Sequence, residues 1–126
     1  MREIKFRGRD NNGVWYYGYI NKYSFNGYTK ESIKFFGESV SIVKEETVGQ
    51  YTGLKDKNGN EIYEGDILGD FIGLGVVKYN ECTAGFVIDI LGKINEITFG
   101  EINYNNYVLE VIGNIYENPD ILDIIK

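Results

Sequence analysis

The residues best spaced for chemistry lie between Asp56 and Asp70. Asp56, Asn58 and Asn60 alternate as the first ligands of a calcium loop do, and the carboxylates of Glu64, Asp66 and Asp70 follow closely. Such a set could serve an acid/base pair or a hydrolytic site built on a divalent ion. The calcium pattern fails further along, where Glu61 stands at the position that needs Gly and Ile67 at the position that needs Glu. Asp, Asn and Gly are also the residues of turns. The stretch therefore reads as a plain turn, with Glu64-Gly65-Asp66 a second turn ahead of a strand. No cofactor and no metal are expected.

The chain has no histidine. That removes the commonest general base and the commonest transition-metal ligand. It also leaves no Ser-His-Asp or Cys-His mechanism. Cys82 sits between Glu81 and Thr83, and an acidic neighbour works against a reactive thiolate. A non-enzymatic protein is expected.

A second constellation is basic and aromatic. All three arginines, Arg2, Arg7 and Arg9, lie in the first ten residues with Lys5, against Glu3 and Asp10. These residues carry +2 and the remainder of the −6 chain carries −8. Trp15, Tyr16, Tyr17 and Tyr19 follow at once. Cations interleaved with aromatics can mark a nucleic-acid contact. The plainer expectation is that these arginines pair with carboxylates elsewhere in the chain or on a neighbouring subunit, since Arg suits interface ion pairs. The acidic balance opposes non-specific nucleic-acid binding. An acidic body with one basic ribbon could also stack on itself. Arg2, Arg7, Arg9, Trp15, Tyr16, Tyr17 and Tyr19 are the candidate interaction surface.

The elements that position these groups read mainly as strands. At 126 residues the chain is expected to form one domain. Glu3–Arg7 alternates, with Ile4 and Phe6 inward, and Asp10-Asn11-Asn12-Gly13 turns the chain into a strand from Val14 to Ile20. From Asn21 to Glu46 the signal is poorer. There, short strands flank Gly37, and the region is a candidate insertion or flap. Asn58-Gly59 is the strongest hairpin signal. A three-residue loop, Lys57-Asn58-Gly59, sets Lys55 opposite Glu61 and puts Gly59 at a left-handed position, whereas a two-residue loop would oppose Asp56 and Glu61. Asp66–Ile72 and Leu74–Tyr79 read as consecutive strands. Phe86–Leu91 and Ile94–Phe99 form a hairpin about a Gly92-Lys93 type II′ turn, with Ile88 facing Ile97. Tyr107–Tyr116 is apolar on both faces and reads as a central, doubly covered strand. Asn118-Pro119 starts a short C-terminal helix.

The run TVGQYTGLKDKNGNEIYEGDIL from Thr47 resembles the signature of the YopX family of phage and prophage proteins. The opening MREIKFRGRDNNGVWYYG and the closing VIGNIYENPDIL from Val111 are similar to that family's ends, and the variable part, without family pattern, lies between Ile20 and Thr47. Gly49, Tyr51, Gly53, Asp56, Asn58, Gly59, Glu64, Gly65 and Asp66 carry the central signature as structural turn residues. The resemblance implies a phage or prophage protein of a Gram-positive host and a mainly β structure. It implies no activity, and so brings no catalytic residues.

The expected fold is mainly β: 47–126 forms a small twisted β-barrel of SH3-like size from about Thr47 to Tyr116 and a short C-terminal helix that caps an open end of the barrel or reaches a second subunit, and 1–46 forms an N-terminal hairpin and variable segment. With no signal peptide and no run near the ~20 apolar residues that span a bilayer, a host-cytoplasmic protein without membrane contact is expected. The expected function is a phage accessory protein acting through an unidentified phage or host protein or through homo-oligomers. The alternatives are a nucleic-acid-associated protein using the N-terminal hairpin, and a metal-dependent hydrolase using Glu64, Asp66 or Asp70.

Overall fold

The computed structural model describes residues 3–25, 28–34, 40–70, 73–92, 96–99 and 109–123. The chain divides into two compact units, Met1–Gly53 and Leu54–Lys126.

The first unit is built on β1 (Phe6–Arg9), β2 (Trp15–Phe25), β3 (Tyr28–Lys34), β4 (Val40–Ile42) and the start of β5 (Gly49–Lys55). They lie in the order β4-β3-β2-β1-β5, each strand antiparallel to its neighbour. The β1–β2 turn falls at Asp10–Gly13 as the sequence indicates. The region of weak signal holds a long hairpin, its register running from Tyr19↔Lys34 to Phe25↔Tyr28. Asn26, Gly27 and the segment around Gly37 lie outside the described residues.

β1 differs from expectation. Its strand begins at Phe6, so Ile4 precedes the ladder and is 54% exposed, while Arg7 is buried. Beyond Arg7, β1 no longer pairs with β5. A crossing segment takes over its backbone groups: Lys44 N–H donates to Arg9 O (2.8 Å), and Arg9 N–H donates to Thr47 Oγ1 (2.9 Å). The Thr47 hydroxyl in turn donates to Lys44 O at 2.6 Å. Buried polar backbone is thereby satisfied without a strand neighbour. Val43 seals the same place from the side. A Cβ on Gly8 would come within 2.7 Å of Val43 Cγ2, so only glycine admits that approach.

The second unit contains the end of β5 with β6 (Glu61–Tyr63) beside it, then β7 (Asp66–Asp70), β8 (Gly73–Asn80), β9 (Gly85–Ile90), β10 (Ile97–Thr98), β11 (Glu110–Asn114) and the helix α1 (Pro119–Asp123). β7 to β11 form an antiparallel sheet in the order β10-β9-β8-β7-β11. Its core is Ile62, Leu68, Val77, Ile88 and Ile90, with Ile97, Phe99, Leu109 and Val111 packed against it. Each such side chain contributes about 1.5–3 kcal/mol on burial. Ile88 faces Ile97, as the alternation indicates. Gly92 has φ +80°, while Lys93, Ile94 and Asn95 lie outside the described residues.

The expected barrel is not found: among the described residues the strands form two antiparallel sheets, and neither closes. β5 is drawn to β1, and β10 and β11 stand at opposite edges. The last strand is also misplaced by sequence. β11 is an edge strand with a bulge between Val111 and Gly113, and Ile112 is 40% exposed. The doubly buried strands are β7, β8 and β9, where Ile67 and Leu68, Val76 and Val77, and Val87 and Ile88 all lose solvent. α1 starts at Pro119 as expected. The Asn118 side chain, however, accepts the Asn114 N–H instead of capping forward, and occupies the space a Cβ on Gly113 would need.

Among the described residues no helix is long and apolar enough to cross a membrane.

Candidate functional site

The β1–β2 register sorts the basic and aromatic residues by face. Arg7 lies opposite Tyr17 and Arg9 opposite Trp15, while Gly8 lies opposite Tyr16. Opposed residues share a face and neighbours along a strand alternate. Arg7, Arg9, Trp15, Tyr17 and Tyr19 therefore form one face, and Tyr16 belongs to the other. The candidate set is thus split, and Arg2 lies outside the described residues.

Two cations on this face, Arg7 and Lys5, meet aromatic rings of the same unit. The Arg7 guanidinium carbon sits 4.7 Å from the Trp15 ring centroid. Lys5 Nζ sits 5.2 Å from the Tyr51 ring and 3.5 Å from Glu3. Gly49, opposite Arg7 on β5, presents no side chain on the face where the guanidinium lies. Tyr51 is aligned by its N–H, which donates to Lys5 O at 2.8 Å. Arg9 Nε donates to Gly13 O at 3.2 Å. The result is graded: Arg7 and Tyr51 are 6% and 4% exposed, while Tyr17 and Tyr19 are 43% and 48% exposed. The open end of the face is aromatic.

The Asp56 turn is a structural knot. Asp56 N–H donates to Asn60 O (2.8 Å) and Gly59 N–H to Asp56 O (3.0 Å), which leaves Lys57-Asn58-Gly59 as the loop. Gly59 has φ +83°, the left-handed position expected of it. One carboxylate oxygen accepts the N–H groups of Asn58 and Asn60, and the other accepts Asn60 Nδ2 and the Val111 N–H. Burial pushes this carboxyl up, but the bonds from Val111 and Asn60, with that from Asn58, outweigh it and hold it below its ordinary 3.8.

Asp10 repeats the same device. Its N–H donates to Val14 O, Gly13 N–H donates to its carbonyl, and its Oδ1 accepts Asn12 and Val14 N–H. Its Oδ2 accepts the Tyr16 hydroxyl at 3.0 Å. The Val14 N–H, against a smaller effect of burial and helped by Tyr16, keeps this carboxyl below 3.8 as well. The shared signal is Asp-x-Asn-Gly at 10–13 and 56–59, and a search for internal repeats of four residues would have found it.

Glu64-Gly65-Asp66 is likewise a turn. Asp66 is 1% exposed and accepts the Tyr63 N–H at 2.8 Å. Gly65 has φ +92° and lies against the Tyr116 ring. Gly53, also at positive φ, is exposed, as is Cys82. The Asp70 side chain lies outside the described residues. Among the described residues no group of three or more His, Cys, Asp or Glu could hold a metal.

These features define a small two-sheet β protein in which the signature residues expected in turns divide: Asp56, Asn58, Gly59, Glu64 and Gly65 build turns, while Gly49, Tyr51 and Gly53 lie in β5 and Asp66 opens β7. The chain belongs to the YopX protein family, whose model matches residues 5–123. It is similar to the crystal structure of protein EF1440 from Enterococcus faecalis, at 25% identity and a TM-score of 0.57, over 97% of this chain and 99% of that one. No curated protein matches it.

Proposed function

We propose that the protein is a non-enzymatic accessory protein of a phage or prophage, working in the host cytoplasm by binding another protein or its own copies. The observation that carries this reading is the exposed pair Tyr17 and Tyr19, next to the Arg7–Trp15 stack on a strand-paired face. Aromatic side chains beside arginine are the usual anchors of protein interfaces, because they offer large area at small entropic cost. Arg7 and Lys5 of this face lie over its own rings at Trp15 and Tyr51, which favours a protein partner over a phosphate backbone.

The test is capture by tagged protein from the lysate of an induced lysogen, with and without nuclease, beside a Tyr17→Ser/Tyr19→Ser variant. A protein, or untagged copies of the chain, retained through nuclease and lost with the variant supports the reading. Enrichment that vanishes with nuclease refutes it in favour of nucleic acid.

A further inference from the structure

The twin Asp-x-Asn-Gly turns place two Asn-Gly pairs with exposed asparagines in nearly the same backbone geometry but under different restraint. Asn followed by Gly is chemically labile: with no Cβ in the way, the glycine nitrogen can reach the asparagine side chain. The attack needs the turn to open, because the Gly N–H is otherwise held by the Asp carbonyl (3.1 Å at Gly13, 3.0 Å at Gly59).

The second turn is held from outside. Lys57 N–H donates to Leu109 O (3.1 Å), Val111 N–H donates to Asp56, and Asn58 Nδ2 donates to Glu110 Oε1 (3.4 Å). Glu110 also pairs with Lys57 at 3.4 Å. Among the described residues the first turn is held from outside only by near neighbours, the Tyr16 hydroxyl and Arg9 Nε. Among the described residues the Asn12 side chain makes no hydrogen bond. The Arg9 guanidinium also flanks Gly13, with Nη2 3.0 Å from where a Cβ would stand, and its charge favours the anionic nitrogen that attacks.

We infer that Asn12 is a site of spontaneous deamidation in the folded protein and that Asn58, in the twin turn, is protected. The Gly13 nitrogen bonds to Cγ of Asn12 while the Cγ–Nδ2 bond breaks, and Nδ2 leaves as ammonia with the proton that Gly13 loses. Water then opens the succinimide to aspartate or isoaspartate. The isoaspartate route adds a backbone methylene inside the turn that joins β1 to β2, the strand that carries Tyr17.

The experiment is incubation of the intact chain at mildly alkaline pH, followed by peptide mapping and isoaspartate detection, natively and in denaturant. The native rate at Asn12 is expected to exceed that at Asn58 by about fivefold or more, the worth of one net hydrogen bond. In denaturant the two rates converge. Glu110→Ala, which frees Asn58 without touching the first turn, should raise the Asn58 rate alone. Equal native rates, a faster Asn58, or no native reaction at Asn12 would overturn the inference.

Discussion

The carboxylate of Asp56 accepts the backbone N–H of Val111 at 2.9 Å, joining a turn to a strand 55 positions further along the chain. That bond makes the most acidic-looking stretch of the sequence a fastening point.

Asp56→Ala should therefore lower stability by about 2–3 kcal/mol, the cost of removing a charged acceptor from donors that lose water. Urea unfolding of the variant beside the parent measures it.

The pH dependence follows from the lowered carboxyls of Asp10 and Asp56. A depressed folded value means that the stabilisation is fully present above the unfolded carboxylate range and is lost as pH falls through the folded value. The stability gap between the parent and Asp56→Asn should stay constant near neutrality and close below 3.8. A gap that widens on acidification would contradict the assignment.

Gly75→Ala probes the second core. The added Cβ would overlap Ile88 Cγ2 and lie 3.2 Å from Ile90 Cδ1. A loss of about 1–3 kcal/mol is expected from overpacking, seen as a lower Tm.

Arg7→Lys keeps the charge and removes the planar guanidinium. Trp15 is the single tryptophan, so its fluorescence reports directly on the stack. A shifted emission and a loss of about 1 kcal/mol are expected.

Tyr17→Ser/Tyr19→Ser should leave unfolding within about 0.5 kcal/mol of the parent, as exposed positions do. The same variant loses the captured partner.

Legibility in the sequence followed locality. The Asn58-Gly59 turn and the Ile88–Ile97 register depend on a few adjacent residues, and alternation fixes them. The exposure of Ile112 is not legible from alternation, because the bulge between Val111 and Gly113 goes with the seating of Asn118 on Gly113, which no strand period encodes. The burial of Arg7 was hidden too. It depends on Trp15 lying diagonally across one strand and on Gly49, 42 positions away, lying across another. The aromatic face was legible as composition, and only pairing told which tyrosines stand in solvent.

The position of the Asp56 turn has one more result. Leu109 O and Val111 N–H lie on the side of the last strand that faces away from β7, and Lys57 N–H and Asp56 occupy both. A bare sheet margin is a template for unwanted strands from other molecules. Here a hairpin tip of the same chain blanks that template at Leu109 and Val111, so the carboxylate that fastens the turn also closes this part of the margin to a foreign strand.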